Sequence, residues 1–500
     1  MMGERGPTRV VIAGGGTAGW LAAAALTRQL RDQVAVTLVE SDAIGTIGVG
    51  EATIPTIRSF HALLGLDERA FLRATKASFK LGISFEGWAR EGDRYIHSFG
   101  ALGRGTWMAE FHHMWLEARA QGFGGELSAA CAEHEAARLG RFATDGQSTL
   151  NYAYHLDAGL YAQMLREQAE AQGLTRIEGR IARVERDGAS GDIAALVLED
   201  GTRVGGDLFL DCTGFRALLI EGEMQAGWED WSHWLPTNRA LAMQTRATGP
   251  AMPYTRAIAH DAGWRWQIPL QHRMGNGLVY ASDYLSDDEA HHRFTGMVEG
   301  EPLTEPRLIR FTTGRRKRVW VNNCIALSLA SGFVEPLEST SIHMTMIAIT
   351  RLLQLFPFNG STPALARRFD DLAQRELERV RDFVMLHYVL NQRPEPFWQR
   401  MRDMPLPDSL AERIAIWREG AHAWQGADDL FRVDSWVQVM LGQRLEPQGH
   451  HHVARLMAPD RLRQALADMQ AATAASVTGL PTHQHFLDRL GGAPPDPMAA

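Results

Sequence analysis

The feature that most constrains this chain is a glycine turn set between a strand and a helix. Arg9-Val10-Val11-Ile12-Ala13 is a short β-branched run of the kind that fills a buried parallel strand. Gly14-Gly15-Gly16-Thr17-Ala18-Gly19 follows, and Thr17 to Leu30 is rich in Ala and Leu, which favours helix. Val34-Ala35-Val36-Thr37-Leu38-Val39-Glu40 then reads as a second strand. The unit is β-α-β with a Gly14-x-Gly16-x-x-Gly19 turn. The first glycine permits the tight turn, the second lets backbone approach a pyrophosphate, and the third lets helix and strand pack closely. Thr17 and Ala18 open the helix, whose N-terminus favours phosphate. Glu40 ends the second strand, where a carboxylate can accept hydrogen bonds from a ribose. A structural glycine turn is the alternative, but strand, glycines, helix, strand and terminal Glu in register favour a dinucleotide.

The rest of the chain extends this α/β start. Residues 177–210 alternate short apolar runs with Asp187-Gly188 and Asp200-Gly201 turns, as hairpins do. Asp207 to Gly214 reads as another strand ending in an Asp/Thr/Gly turn, and Ile325 to Leu329 as a further buried strand, with a helix from about Thr340. Leu372, Ala373, Leu377, Val380 and Val384 share one helical face. The organisation expected is a discontinuous dinucleotide lobe over 1–100, 150–225 and 300–355. A mostly helical substrate lobe takes 101–149, 226–299 and 356–490, and 491–500 forms a Gly/Pro/Ala-rich disordered tail.

Composition excludes several classes. With 45% hydrophobic and 22% charged residues, the chain of 500 can bury a large core. A net charge of −8 without a long basic run argues against nucleic acid. Cys131, Cys212 and Cys324 are far apart and imply neither disulfides nor a metal site, so a reducing cytoplasm is expected. The apolar stretch Trp20–Leu26 is too short to span a bilayer. His450-His451-His452 has no ligand spacing that supports a designed metal site. Trp228, Trp231 and Trp234 recur every three residues and suggest an exposed helical turn or a lid.

A second set of segments narrows the reading. Thr46-Ile47-Gly48-Val49-Gly50-Glu51-Ala52-Thr53-Ile54-Pro55, Phe79-Lys80-Leu81-Gly82-Ile83, Trp264-Arg265-Trp266-Gln267-Ile268-Pro269 and Gly332-Phe333-Val334-Glu335-Pro336-Leu337-Glu338-Ser339-Thr340 occur in that order across most of the chain. With the glycine turn, they make the chain resemble the flavin-dependent tryptophan halogenase family. That resemblance implies an FAD-binding lobe of the flavin monooxygenase type. It also implies an enzyme that uses FADH2, O2 and a chloride or bromide ion to halogenate an electron-rich aromatic ring through hypohalous acid. No second GxGxxG is present, so a separate NAD(P)H-dependent flavin reductase is expected to supply reducing equivalents, and a homodimer is expected by family analogy.

The resemblance also assigns residues. Lys80 lines up with the catalytic lysine, which forms a haloamine or orients hypohalous acid. Taken alone it would be a solvated surface charge, but Phe79, Leu81, Ile83 and Phe85 argue for burial. Glu338 lines up with the second catalytic residue, a carboxylate that stabilises positive charge on the ring or accepts its proton; a helix-terminus carboxylate is the local alternative. Thr340 and Ser341 match the halide turn, with Ser341 where the tryptophan enzymes carry Gly, which opens a bromide preference. Val49, Glu51 and Ala52 match the strap against the flavin, and Leu329 the segment along it. Trp264 and Trp266 match residues that shield the flavin, though two aromatics on one strand face also suit plain packing. His97 and Phe99 match a His-x-Phe near the substrate, and Trp436 is a further stacking candidate. No Tyr/Glu-rich stretch to clamp a free amino acid is found between Arg418 and Gly442, so indole, or indole within something larger, fits at least as well. An FAD-dependent aromatic hydroxylase is the alternative activity, and a non-catalytic flavin-binding protein a third.

Overall fold

The computed structural model describes residues 6–44, 50–144, 146 and 148–491. Val49 and the tail from residue 492 lie outside the described residues. The chain divides into two units, each built from three separate segments.

The first unit comprises Met1–Ala77, Leu156–Pro236 and Phe311–Glu378. Its centre is a six-stranded sheet in the order Trp320–Val321, Cys324–Ala326, Leu208–Asp211, Thr8–Ala13, Val34–Glu40, Thr175–Glu178. All neighbours run parallel except the Trp320 hairpin. Val10 to Ala13 and Leu208 to Asp211 are fully buried, as strands covered on both faces must be. Register fixes where a ligand can sit. Ala13 pairs with both Asp211 and Val39, and Asp211 with Ala326. The turns that follow these strands, at Gly14, Thr213 and Leu327, therefore emerge side by side at the carboxyl edge, where open α/β sheets bind ligands.

Helix Thr17–Leu30 follows the first strand without a break, and Gly19 to Thr27 are all buried. It packs against helices Ala158–Ala171 and Ser341–Gln354, which is why its Ala-rich run needs no polar face. Strands Ile181–Arg186, Ile193–Leu198 and Arg203–Gly205 form a separate antiparallel sheet, the hairpin series expected.

The tryptophan triplet does not lie on one exposed helical turn. Trp228 lies in strand Trp228–Asp230, paired with Gly314–Arg316, and Trp231 is fully buried. The guanidinium carbons of Arg316 and Arg315 sit 4.8 and 5.4 Å from the Trp228 and Trp231 rings. Cations over the rings hold Trp228 and Trp231 in place, and the chain turns after Trp231.

The second unit comprises Ser78–His155, Thr237–Arg310 and Arg379–Ala500. It includes Ser78–Gly100, which the sequence reading grouped with the dinucleotide lobe. A seven-stranded sheet runs Arg307–Arg310, Arg239–Arg246, Arg273–Tyr280, Gly263–Pro269, Thr255–His260, Gly82–Glu86, Arg94–Ser98. Only Thr255–His260 and Gly82–Glu86 pair in parallel. The helical reading holds for the C-terminal segment, with helices Pro396–Asp403, Asp408–Gly420, Val433–Gly442, Pro459–Thr478 and His483–Arg489. Residues 237–310 are instead mainly strand, with one helix, Asp287–Met297. From Val380 to Leu390 every residue of helix Pro363–Val389 and its end is buried, Arg381 and Asp382 among them as an ion pair at 2.8 Å. Among the described residues no helix is long and apolar enough to cross a membrane.

Candidate functional site

The glycine turn is built by close approach. Gly14 has φ +107°, and a Cβ there would lie 2.4 Å from the Cys212 carbonyl oxygen of the neighbouring strand end. A Cβ on Gly19 would lie 1.9 Å from the Gly14 carbonyl oxygen. Gly16, the helix N-cap, is different: a Cβ there meets nothing within 4 Å. The protein thus leaves open the face where a second glycine is needed for a pyrophosphate. Thr17 and Ala18 are half-buried in the first helical turn, whose leading N–H groups have no intrahelical partner. These residues fit a dinucleotide such as FAD.

Gly15, which the motif leaves unspecified, proves just as constrained. A Cβ there would lie 1.4 Å from Glu40 Oε2. The Glu40 carboxylate is therefore folded over the turn, while its Oε1 accepts from Arg176 Nε at 2.6 Å. Gly15→Ala is expected to push Glu40 aside and to weaken flavin binding about tenfold, the worth of one hydrogen bond to a charged group, about 1.5 kcal/mol. Fluorescence titration with FAD reads this; unchanged affinity would show that Glu40 does not hold the cofactor.

Around the turn, the same unit gathers three more expected elements. Asp211 accepts from the Thr213 N–H and hydroxyl through Oδ1 and from the Leu219 and Ile220 N–H groups through Oδ2, so it anchors the Asp/Thr/Gly turn. Leu329 lies half-buried in the short helix Ser328–Ala330, which packs against the Gly214–Arg216 turn and helix Ser341–Gln354. Glu51 and Ala52 lie in strand Gly50–Ala52; Glu51 is half-buried, and burial raises its pKa to about 7.

Glu338 is 1% exposed and leads into helix Ser341–Gln354, with Thr340 as N-cap and no side-chain cap. Its neighbours are conformationally unusual: Glu335 has φ +136° and Ser339 φ +58°. Left-handed backbone at non-glycine residues costs about 1–3 kcal/mol each and marks functional turns. The helix amides at Thr340 and Ser341, with the positive end of the helix dipole, can hold an anion. His343, one turn in, is tied to Thr56 Oγ1 at 2.9 Å and lies 3.5 Å from Glu376, which pairs with Arg351 at 2.7 Å.

The second unit holds the other expected residues. Lys80 is 0% exposed, on strand Ser78–Lys80, with its Nζ 5.3 Å from the centre of the Phe99 ring. Phe99 N–H donates to Leu81 O at 2.9 Å, which keeps that ring beside the lysine. His97 is buried, 5.4 Å from Phe383 and 6.1 Å from Phe431, two rings stacked at 3.7 Å. Phe383 also meets Trp436 edge-on at 5.0 Å. His97 and Trp436 thus share one aromatic cluster through Phe383, a residue the sequence did not single out. Arg413 is sandwiched between Trp436 and Trp424, at 4.3 and 4.5 Å, and paired with Asp429. A cavity of about 150 Å³ beyond Arg413 is polar and of mixed charge, walled by Arg379, Glu412, Trp424 and Asp429; Lys80 is not in its walls.

Trp264 and Trp266 lie on one face of strand Gly263–Pro269, rings 6.0 Å apart, both buried. Trp266 crosses Gly277 of the next strand, where a Cβ would be 1.9 Å from the indole. They pack as a pair, yet the Nε1 of Trp264, Trp266 and Trp436 have no hydrogen-bond partner among the described residues. Among those residues no group of three His, Cys, Asp or Glu is placed to hold a metal; His450 instead pairs with Glu117 at 2.6 Å, and all three cysteines are buried and free.

Comparison with known proteins agrees with this geometry. The family model for tryptophan halogenase matches residues 9–459. The chain is 37% identical over 437 residues to tryptophan 7-halogenase RebH of Lentzea aerocolonigenes, covering 82% of each chain. Among solved structures, Xcc4156, a flavin-dependent halogenase from Xanthomonas campestris, superposes with a TM-score of 0.96 at 51% identity, over 99% of this chain and 100% of that one. BrvH, a flavin-dependent halogenase from Brevundimonas sp. BAL3, gives 0.92 at 43% identity, over 97% and 99%.

Proposed function

The chain belongs to the tryptophan halogenase family, and on that premise we propose that it halogenates an electron-rich aromatic ring, an indole or an indole-like arene. The observation that carries the reading is Lys80, fully buried on a strand and facing the Phe99 ring. Burial sets Lys80 apart from a solvated surface lysine, and the role we give the desolvated amine is to receive or orient the electrophile. Reduced FAD, bound at the glycine turn, would give two electrons to O2, which takes two more from halide to yield hypohalous acid and water. Gly14 to Gly19, Glu40, Glu51, Ala52 and Leu329 would hold it. The amides at Thr340 and Ser341 hold halide, and the buried Glu338 takes the ring proton or offsets its positive charge. His97, Phe99 and Trp436 form the aromatic surface for the substrate, whereas Trp264 and Trp266 keep it from the flavin.

A separate NAD(P)H-dependent reductase delivers FADH2, and the enzyme works as a cytoplasmic homodimer. Incubation with FAD, a flavin reductase, NADH, O2, halide and indole is expected to give products with the halogen isotope pattern by mass spectrometry. A hydroxylated product alone, or none across a broad arene panel, overturns the reading. With equal chloride and bromide, brominated product is expected to dominate. Ser341→Gly is expected to move that ratio toward chloride; an unmoved ratio shows that Ser341 does not set it.

A further inference from the structure

Two buried histidines from remote segments hold the Lys80 strand. Strand Ser78–Lys80 pairs antiparallel with Ala153–Asp157, Ser78 facing His155 and Lys80 facing Ala153. Alternation places the Ser78 and Lys80 side chains on one face of their strand. His155 is 0% exposed, with Nδ1 3.2 Å from Ser78 Oγ and Nε2 2.9 Å from Thr255 Oγ1. Ser78 Oγ also lies 2.5 Å from the Pro269 carbonyl, to which it must donate. A hydroxyl has one proton, so Ser78 can only accept from His155. The proton between them therefore sits on His155 Nδ1, and in the neutral ring that full burial favours Nε2 accepts from Thr255. His155 is a neutral Nδ1–H tautomer with both ring nitrogens satisfied.

The second histidine reaches the same state. His483 Nδ1 lies 2.7 Å from the Ala251 carbonyl and must donate, while Nε2 accepts the Phe79 N–H at 3.1 Å. Burial lowers its pKa to about 4. Burial also holds His155 well below the usual imidazole range, and the charges that reach it are those of Lys80 and His483. On the other strands packed against it, Arg256 is turned to Glu86 at 2.7 Å and Arg265 donates to Met297 O at 3.0 Å.

We propose that His155 is a positioning residue for Lys80, and that its uncharged ring sets the pH range in which the lysine amine works. The inference rests on the role given to Lys80 above. One imidazole links three elements at the lysine: the lysine's strand through Ser78, the end of strand Gly263–Pro269 through the carbonyl to which Ser78 donates, and Thr255. Held neutral, it adds no positive charge to compete with the ammonium.

The test is the pH profile of halogenation by the full-length enzyme carrying His155→Asn or His155→Asp, which match in shape and differ in charge. The Asn variant should keep the wild-type limb within about 0.3 pH units, while a carboxylate near the amine should raise it by at least about one unit. Coincident Asn and Asp profiles overturn the proposal. Lys80→Ala, run alongside, separates the two readings. If it stays active, the role of Lys80 falls. If it is inactive while the Asn and Asp profiles coincide, only the role of His155 falls. Ring ¹⁵N shifts of the wild-type protein provide a check that needs no variant. His155 should remain a neutral Nδ1–H tautomer from about pH 5.5 to about 8.5, and a charged ring or the other tautomer in that range overturns the proposal.

Discussion

Lys80→Ala is expected to abolish halogenation, by at least about a thousandfold, while flavin still binds with wild-type affinity. The two effects separate because the groups lie in different units: Lys80 in the segment that begins at Ser78, the glycine turn in the segment that ends at Ala77. The amine is fully buried with an aromatic ring 5.3 Å away, a position in which hydration no longer masks it. Lys80→Arg is expected to be inactive as well, since a planar guanidinium that never deprotonates reproduces neither the bulk nor the chemistry of the amine. Lys80→Met keeps the stem and drops the charge. It too is expected to be inactive, with a cooperative thermal melt showing that the fold is intact. Product yield by mass spectrometry, FAD titration and thermal melts read the three outcomes. Activity surviving in Lys80→Ala would remove the lysine from the chemistry.

What could be read ahead of the structure was local. The strand, glycine turn, helix and second strand at the start each carry their own signal, and the helix occupies Thr17–Leu30 as read. Pairings set at long range were not legible. Arg239–Arg246 contains Ala, Leu, Met, Gln and Arg, all good helix formers, yet it is a strand because Arg273–Tyr280 and Arg307–Arg310 pair with it on either side. Ser78–Gly100 falls in the second unit, and its strand Gly82–Glu86 takes as parallel neighbour Thr255–His260, far along the chain, a pairing no local signal carries. The three-residue spacing of Trp228, Trp231 and Trp234 mimics a helix, but stacking on Arg315 and Arg316 depends on a segment about 80 residues away in sequence. The candidate site divides in the same manner. Lys80, Glu338 and the glycines stand in recognisable strings, whereas His155, His483 and Phe383 acquire meaning only from the residues beside them in space. Gly15 is an intermediate case: its neighbour Glu40 was already named, and the contact between them was not.

Glu338→Gln is expected to lower kcat about a hundredfold, with less than about a twofold change in FAD affinity. Two roles suit a carboxylate ahead of a helix, and this substitution divides them. If Glu338 only complements the dipole of helix Ser341–Gln354, losing its charge costs about 0.3–1 kcal/mol of stability and leaves turnover alone. If it takes a proton from the ring or offsets positive charge there, the isosteric amide keeps the shape and removes the function. We favour the second role. A dipole partner works well at the surface, whereas this carboxyl is 1% exposed, where holding a charge costs free energy. The backbone on either side adds a further cost, with Glu335 at φ +136° and Ser339 at φ +58° where glycine would be relaxed. Turnover at saturating arene and halide, measured with the Tm of the same preparation, decides the matter. A lowered Tm with unchanged kcat would return Glu338 to the helix terminus, and a fall in kcat with little change in Tm would place it in the reaction.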